Sequence, residues 1–440
     1  MARAYPYLLL FCSFWASPNL AQTPQLDQLL REAETRYPTV LQRSAEIRAA
    51  RAALDEAQVL GGPRLSLGGT YTVAAGGRSI DLPVGDLLNP VYGALNQLTQ
   101  TNSFPSIENV EEQFLPNNFY DLRLRAVYPL YQPTIKINAA AKRQQLRLAE
   151  LAATIDRRDV RRDVRIAYWQ LQAAYAAADV YEDAQRLIAE GLRTTRSLIA
   201  NGEALPTARL RLEAERARVG AELDRVRARA ANAAAQLNYL TGRPLDSPVE
   251  RDTLAVALPE LLAGSTAGRT ELQLLDAGLA LNALSRDAER QYFRPTVGLQ
   301  LDAGSQAFGF GFSPYALLGL SAEIPLYDHG AHRRRLERIR AERDAQLARQ
   351  TQTQRALALE AEVLRRELAA DLAQVRRYVP AVAAARRVYR DTERLYREGL
   401  TNYLNLVDAR TNLTQQELQQ TIATYTAYTR AAALQRAFAE

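Results

Sequence analysis

The chain has 440 residues, of which 24% are charged and 47% hydrophobic, so it is neither a disordered nor a collagen-like sequence. Its formal net charge is +6, yet 49 acidic residues stand against 55 Lys and Arg residues. Charges of both signs interleaved along the chain indicate solvated helix faces and argue against a nucleic-acid-binding surface.

Residues 1–21 have the layout of a secretory signal peptide. Arg3 precedes an apolar stretch from Tyr7 to Trp15, and a cleavage segment ends before Gln22. The only cysteine, Cys12, lies inside this segment, so we expect a mature chain without disulfides or a cysteine nucleophile. Beyond it, no run approaches the roughly 18 to 20 charge-free apolar residues of a membrane helix. The exported chain is therefore predicted to be soluble or to cross a membrane as strands.

The first structural repeat is predicted to span residues 22–242. Residues 24–60 favour a helix that stops at a Gly-Gly-Pro sequence, and strict alternation then predicts strands at about 64–74 and 119–129. In the second strand, apolar side chains on one face oppose charged side chains on the other, namely Asp121, Arg123 and Arg125. Between the strands, residues 74–117 are rich in Gly, Pro, Asn and Ser, which predicts a long loop.

A change of period after the second strand marks helices. Apolar residues step by four and three along about 134–200, which is typical of a coiled coil and predicts one long helix ending near Gly202. A return helix over about 207–240 closes at Gly242. Residues 243–268 carry several prolines and are predicted to be a linker in an equatorial region.

The second repeat, residues 269–440, has the same order. It begins with a helix at about 269–292 and continues with strands at about 296–304 and 316–324, a long helix at about 330–398 and a final helix from 403. Gln300, Asp302 and Glu323 fall on the polar faces of its strands. Pro380 inside the long helix predicts a kink rather than a stop.

Two copies of Pro-Leu-Tyr show that the chain is a tandem duplication. "AVYPLYQP" at 126–133 returns as "AEIPLYDH" at 322–329, with 196 residues from Pro129 to Pro325. Pro63 and Pro295, which precede the first strand of each repeat, are 232 residues apart. The excess of 36 residues is confined to the predicted loop 74–117. Pro-Leu-Tyr thus marks the point where each pair of strands becomes a long helix.

The predicted strands have a length that suits a membrane. About 9 to 11 tilted residues cross a bilayer, and only a closed barrel leaves no unpaired strand edge in lipid. Four strands are too few to close, so the chain is predicted to oligomerise. The polar strand faces would then line water as a barrel lumen formed by Asp121, Arg123, Arg125, Gln300, Asp302 and Glu323.

Several motifs, in this order and spacing, resemble the TolC family of outer membrane efflux proteins. They are "LTGRPL", "GRTEL", "FRPTVGLQL", "PLYDHG" and "YREGLTNYLNLVDAR" with its relative "NGEALPTARLRLEAE". The resemblance covers nearly the whole mature chain. It implies a mainly α fold with a small β part: a homotrimer whose twelve-stranded outer membrane β-barrel continues as a long α-helical barrel in the periplasm.

The resemblance also implies a function. The chain would be a passive exit duct, working with a periplasmic adaptor (a membrane fusion protein) and an inner membrane pump in efflux or type I secretion. It would contact outer membrane lipid, bind no nucleic acid and need no cofactor or catalytic residue. The resemblance does not distinguish between drugs, metal ions, peptides and proteins as the exported cargo.

Site residues follow from the same resemblance. The turns at Gly202-Glu203 and at Gly399-Leu400-Thr401 would be the periplasmic tips that contact the adaptor, and Asn405, Asp408 and Tyr396 would surround the periplasmic aperture. Of the two family positions that are acidic, only Asp408 keeps its charge here. In a trimer it would form a ring of three carboxylates that attract cations.

Other interpretations are open. A soluble periplasmic coiled-coil scaffold with short hairpins as caps would produce the same periodicities. Four aromatic residues near strand ends fit an aromatic girdle, namely Tyr71, Tyr128, Phe312 and Tyr315. His329 and His332 begin a helix, but three neighbouring arginines argue against a metal site. The sequence contains neither a nucleophile elbow nor a phosphate loop, so no motif indicates an enzyme.

Overall fold

A computed structural model describes residues 23–252, 257–261 and 264–438; the predicted signal peptide lies outside this part. The strands are β1 (Arg64–Thr72), β2 (Ser79–Leu82), β3 (Val110–Gln113), β4 (Phe119–Tyr131), β5 (Thr296–Phe308) and β6 (Pro314–Glu323). The helices are α1 (Pro24–Arg36), α2 (Pro38–Val59), α3 (Val84–Thr99), α4 (Pro133–Ala200), α5 (Pro206–Thr241), α6 (Thr270–Arg290), α7 (Ala331–Arg397) and α8 (Tyr403–Ala437). The predicted fold class, a duplicated and mainly helical chain with a small sheet, is confirmed.

Proline begins four of these helices, because its missing N–H is not needed in a first turn and its fixed φ suits a helix. Pro38 also breaks the single helix predicted over 24–60 into α1 and α2. It holds Tyr37 in extended backbone, at φ −65° and ψ 128°. Helical composition on both sides hid this break, so the prediction of one helix was wrong.

The described residues form two compact units, and the first comprises those within 23–52, 143–282 and 340–438. Along α7 its buried side chains recur every seven residues, at Ala361, Leu368, Val375, Val382, Tyr389 and Tyr396. A strict seven-residue repeat sets a left-handed supercoil. Val379 lies four residues after Val375 but is 54% exposed, so it lies outside this seam. The helix continues through Pro380.

The second unit comprises residues 53–142 and 283–339 and contains an antiparallel four-stranded sheet with the order β1-β4-β5-β6. The central pair, β4 and β5, joins the two repeats. One residue, Gln132, separates β4 from α4, whereas seven residues separate β6 from α7. No helix in the described ranges carries an apolar stretch long enough to cross a bilayer.

Residues 74–117, predicted as a loop, contain α3 and a two-stranded ribbon of β2 and β3, so that prediction was wrong in part. Two asparagines on α3 hold the segment beside it. Asn89 donates to the Ile107 carbonyl oxygen and accepts from its N–H, both at 2.8 Å; Asn96 makes the same pair of bonds with Phe104, at 2.7 and 3.1 Å. The two side-chain amides thus bond to the backbone of this segment as a neighbouring strand would. No periodic pattern in the sequence predicts such bonds.

Candidate functional site

The four-stranded sheet has two chemically different faces. Residues directly opposite each other in an antiparallel pair point to the same side of the sheet. One row across the sheet is Leu65, Ala126, Leu301 and Leu318; the next row, on the other face, is Ser66, Arg125, Asp302 and Leu317. The alternation seen in the sequence is therefore the alternation of the folded sheet, and the register keeps polar side chains together.

Arg125 and Asp302 form the centre of the polar face. The guanidinium of Arg125 donates two bonds of 2.8 Å to the two carboxylate oxygens of Asp302, and Gln300 donates a third of 2.8 Å. Asp302 is only 4% exposed. A buried carboxylate is tolerated because this geometry satisfies its oxygens with charge-assisted bonds.

A second polar group lies on the same face. Arg123 donates to one carboxylate oxygen of Asp121 at 2.8 Å, and the Tyr315 hydroxyl donates to the other at 2.9 Å. Five of the six predicted lumen residues thus form two hydrogen-bonded groups. The sixth, Glu323, is exposed at the end of β6, opposite Thr296.

Tyr315 was predicted to belong to an aromatic girdle, and the structure corrects this. It lies opposite Gly304 on the polar face, where its hydroxyl binds Asp121. Tyr128 and Tyr71 are on the apolar face. The position of Tyr315, an odd number in β6, was the signal that could have separated it from these two.

The opposite face of the sheet is apolar and exposed. Seven leucines on this face are each more than 40% exposed, namely Leu65, Leu67, Leu122, Leu124, Leu301, Leu318 and Leu320, and Leu299 on the same face is half-buried. A continuous apolar patch of this kind is rare on a soluble monomer and marks a surface that meets protein or lipid.

The two helix turns have the same backbone design. After α4, Glu203 N–H donates to the Leu198 carbonyl oxygen at 2.8 Å, and Gly202 adopts φ +78°. After α7, Leu400 N–H donates to the Leu395 carbonyl oxygen at 2.9 Å, and Gly399 adopts φ +72°. Both are Schellman caps, in which glycine supplies the left-handed residue.

The exposed surfaces of the turns differ. In the second turn, Leu400 is 71% exposed and Asn402 caps α8 by accepting from Asn405 N–H at 3.0 Å. In the first turn Glu203 is exposed, and α5 begins at Pro206 with no side-chain cap. The turns therefore differ in the capping of the following helix and in the charge of Glu203, while each presents a leucine that is 71% exposed, Leu205 or Leu400.

Of the three predicted aperture residues, Asn405 and Asp408 are exposed on α8. Tyr396 is only 4% exposed: its ring packs with Leu198 and Leu406, and its hydroxyl lies 2.8 Å from the Thr195 hydroxyl. Its placement corrects the prediction, because the side chain joins α4, α7 and α8 within one chain instead of facing open space.

A buried arginine near these turns was not predicted from the sequence. Arg410 on α8 is 3% exposed and donates to Glu215 on α5. Burial lowers the pKa of Arg410; burial also acts to raise that of Glu215, but bonds and charge from Arg218 and Arg410 hold it below its usual range. Nothing in the spacing of these residues separates them from the many surface charges of the helices.

Among the described residues, no group of three or more His, Cys, Asp or Glu side chains could hold a metal ion. His332 instead lies 2.9 Å from a carboxylate oxygen of Glu289, which also accepts from Arg335 at 2.6 Å. These contacts hold the start of α7 against the end of α6.

Comparisons with known proteins agree with this fold. Residues 265–440 match the model of the outer membrane efflux protein family, a family of efflux proteins and not of enzymes. No curated protein matches the chain. The family description places its members in the outer membrane, which is the predicted localisation.

Solved outer membrane proteins share the architecture over most of the chain. The outer-membrane channel OprN is 21% identical, with a TM-score of 0.75 over 94% of this chain and 90% of its own. VceC from Vibrio cholerae is 19% identical, with a TM-score of 0.76 over 96% and 98%. CusC, whose structures concern folding and transmembrane channel formation, is 15% identical, with a TM-score of 0.78 over the whole of both chains. At these identities the likeness shows the fold.

Proposed function

We propose that the chain is a TolC-like outer membrane efflux protein, supported by the family match over residues 265–440 and by the shared fold, and that three copies form a passive exit duct across the outer membrane. Each copy contributes β1, β4, β5 and β6 to a closed barrel of twelve strands. The long helices continue the duct into the periplasm. There a periplasmic adaptor connects it to an inner membrane pump, in a tripartite efflux or type I secretion system.

The observation that carries the proposal is the two-faced sheet. Its exposed leucines suit lipid, and its ion-paired opposite face suits water. In lipid an unpaired strand edge exposes N–H and C=O groups at a cost of several kcal/mol each. Four strands cannot close a barrel, so the edges must pair with other copies.

The helices support the rest of the duct. α4 has 68 residues, which corresponds to a length of about 100 Å. In each repeat the long helix follows the strands and ends in a Schellman-capped turn. We propose that these two turns, with Gly202, Glu203, Gly399, Leu400 and Thr401, contact the adaptor, and that Asn405 and Asp408 line the periplasmic aperture.

The decisive experiment measures assembly and conductance together. Membranes are extracted with detergent, the purified protein is weighed by native mass spectrometry, and the same sample is added to a planar lipid bilayer. We expect three mature chains per particle and stepwise conductance. A monomer that osmotic shock releases, with no conductance, would instead establish the soluble periplasmic scaffold.

The adaptor contact has its own test. Leu400→Asp places a charge on the exposed tip and should reduce chemical cross-linking to a co-expressed adaptor several-fold, while conductance is retained. The matched control is Leu359→Asp, at a leucine that is 66% exposed near the middle of α7 and far along the helix from the turn. Equal loss of cross-linking in both variants would rule out the tips as the specific contact.

A further inference from the structure

The two outer strands of the sheet, β1 and β6, leave free edges within one copy. In β4–β5, Gly309 N–H donates to the Asn118 carbonyl oxygen at 2.8 Å; in β5–β6, Gln306 N–H donates to the Ser313 carbonyl oxygen at 3.1 Å. Bonded and non-bonded pairs alternate along antiparallel strands. The odd-numbered residues of β1 and the even-numbered residues of β6 therefore present their backbone groups to the free edges.

The side chains impose the same parity. Apolar side chains occupy the odd positions of β1 and the even positions of β6, for example Leu67 and Leu320. An odd residue of β1 opposite an even residue of β6 thus satisfies both the hydrogen bonds and the continuity of the apolar face. This leaves a small set of registers, each two residues from the next.

The duplication selects one register from this set. The pair Leu65 and Ala126 in β1–β4 becomes Val297 and Ala322 when the repeat distances of 232 and 196 residues are added. Val297 and Ala322 are indeed opposite each other in β5–β6. The two hairpins therefore have the same register, and the repeat distances describe the folded sheet as well as the sequence.

We propose that β6 of one copy pairs with β1 of the next copy in the register that β4 and β5 have within one chain. The pair Arg125 and Asp302 then corresponds to Ser321 and Thr70. Thr70 of one copy lies opposite Ser321 of its neighbour, on the polar face of the sheet. This inference rests on the proposed function, because it applies to strands that close a barrel between copies.

The two kinds of strand junction would then differ chemically. Within a chain the junction carries the ion pair of Arg125 and Asp302; between copies it carries two hydroxyls, with Gly68 opposite Glu323 as the next polar-face pair. Ion-paired charge in the lumen would thus be concentrated at three junctions of the twelve, and each junction between copies would carry the single carboxylate of Glu323. Backbone hydrogen bonds and small side chains would hold the copies together.

Cysteine substitution tests the register directly. Thr70 and Ser321 would form a non-hydrogen-bonded pair, with Cα atoms about 4.5 Å apart, which a disulfide can span. The double variant Thr70→Cys with Ser321→Cys should give covalently linked dimers and trimers on a denaturing gel after mild oxidation. The one native cysteine, Cys12, lies in the predicted signal peptide, and each single variant is the control for it.

Neighbouring registers supply the matched comparison. Thr70→Cys is also combined with Gly319→Cys or with Glu323→Cys, two residues away on the same face. We expect cross-linking several-fold weaker than with Ser321→Cys. Strongest cross-linking at 319 or 323, or none in a particle of trimer mass, would overturn the register. A particle of monomer mass would overturn the proposed function itself.

Discussion

The helical unit buries leucines and exposes charged side chains, whereas the sheet exposes leucines and buries a carboxylate. In the helical unit Leu368 is fully buried, and the ion pairs of its helices lie mostly at the surface. In the sheet Leu318 is 70% exposed while Asp302 is 4% exposed. The exposed surfaces of the two regions therefore suit different solvents. Water surrounds the helices, whereas the leucine face of the sheet suits lipid.

Substitutions along α7 test whether its buried seam stabilises the helical unit. Leu368→Ala should destabilise the helical unit by about 2 to 5 kcal/mol, because it removes buried methyl groups and leaves a cavity. Val379→Ala, in the same helix but outside the seam, should change stability by about 0.5 kcal/mol or less. Thermal unfolding followed by circular dichroism in detergent measures both. Equal effects would show that the seam does not carry the packing.

A single charge placed on the leucine face of the sheet tests whether that face meets lipid. Leu318→Lys places an ammonium on the apolar face, which should cost about 2 to 4 kcal/mol at the bilayer midplane and lower the yield of folded protein in the membrane. Leu317→Lys is the matched control, since the neighbouring residue points to the polar face. Heat-modifiable gel mobility of membrane fractions measures the folded yield. A stronger effect at Leu317 would reverse the assignment of the faces.

The polar face can be tested at its buried carboxylate. Asp302→Asn removes the charge that Arg125 faces, and we expect a lower midpoint of thermal unfolding because the guanidinium loses its carboxylate partner. Glu323→Gln, an exposed carboxylate on the same face, is the control. The midpoint of thermal unfolding in detergent compares the two variants. Similar midpoints would show that the Arg125 pair adds nothing to stability.

How much of this could be predicted from sequence depends on whether the signal was local. Alternation placed Asp121, Arg125 and Asp302 on one face, because a period of two is a property of the strand itself. The start of each long helix could be predicted for a similar reason: Pro-Leu-Tyr recurs where the period changes.

What was missed depends on contacts distant in sequence. The burial of Tyr396 follows from packing against Leu198 and Leu406 on two other helices. The buried pair of Arg410 and Glu215 joins residues 195 positions apart. A helix was overlooked at α3 because Pro90 lies inside it and because its own amides, Asn89 and Asn96, bond to backbone groups of a segment outside the helix. In each case the residue type was ordinary and only the tertiary neighbour made it special.

A smaller effect is expected from pH in the helical unit. A two-bond pair with Arg243, at 2.6 and 2.7 Å, lowers the pKa of Glu32 from 4.5 to about 2. Because the folded pKa is below the unfolded one, this stabilisation is complete above pH 4.5 and is lost as the pH falls towards 2.

Unfolding of Glu32→Gln and the parent protein at several acidic pH values measures this effect. Between about pH 4.5 and 3 the parent should lose more stability than the variant, by up to ~1 kcal/mol, because solvent screens this partly exposed ion pair. Glu56→Gln, at an exposed carboxylate of α2, should keep the parent's pH dependence. If Glu32→Gln also kept it, the Glu32 pair would not be the source.

The smallest effect should appear at Asp408, where we expect a change in selectivity without a change in stability. A carboxylate acts on a cation 4 Å away by only about 1 kcal/mol in water, so three of them around an aperture should favour cations a few-fold. Asp408→Asn should remove this preference in single-channel recordings under a salt gradient, while Glu203→Gln, at the other turn, should retain it. Because Asp408 is exposed within one copy, thermal unfolding should be unchanged. A reversal potential identical to that of the parent channel would place Asp408 away from the ion path.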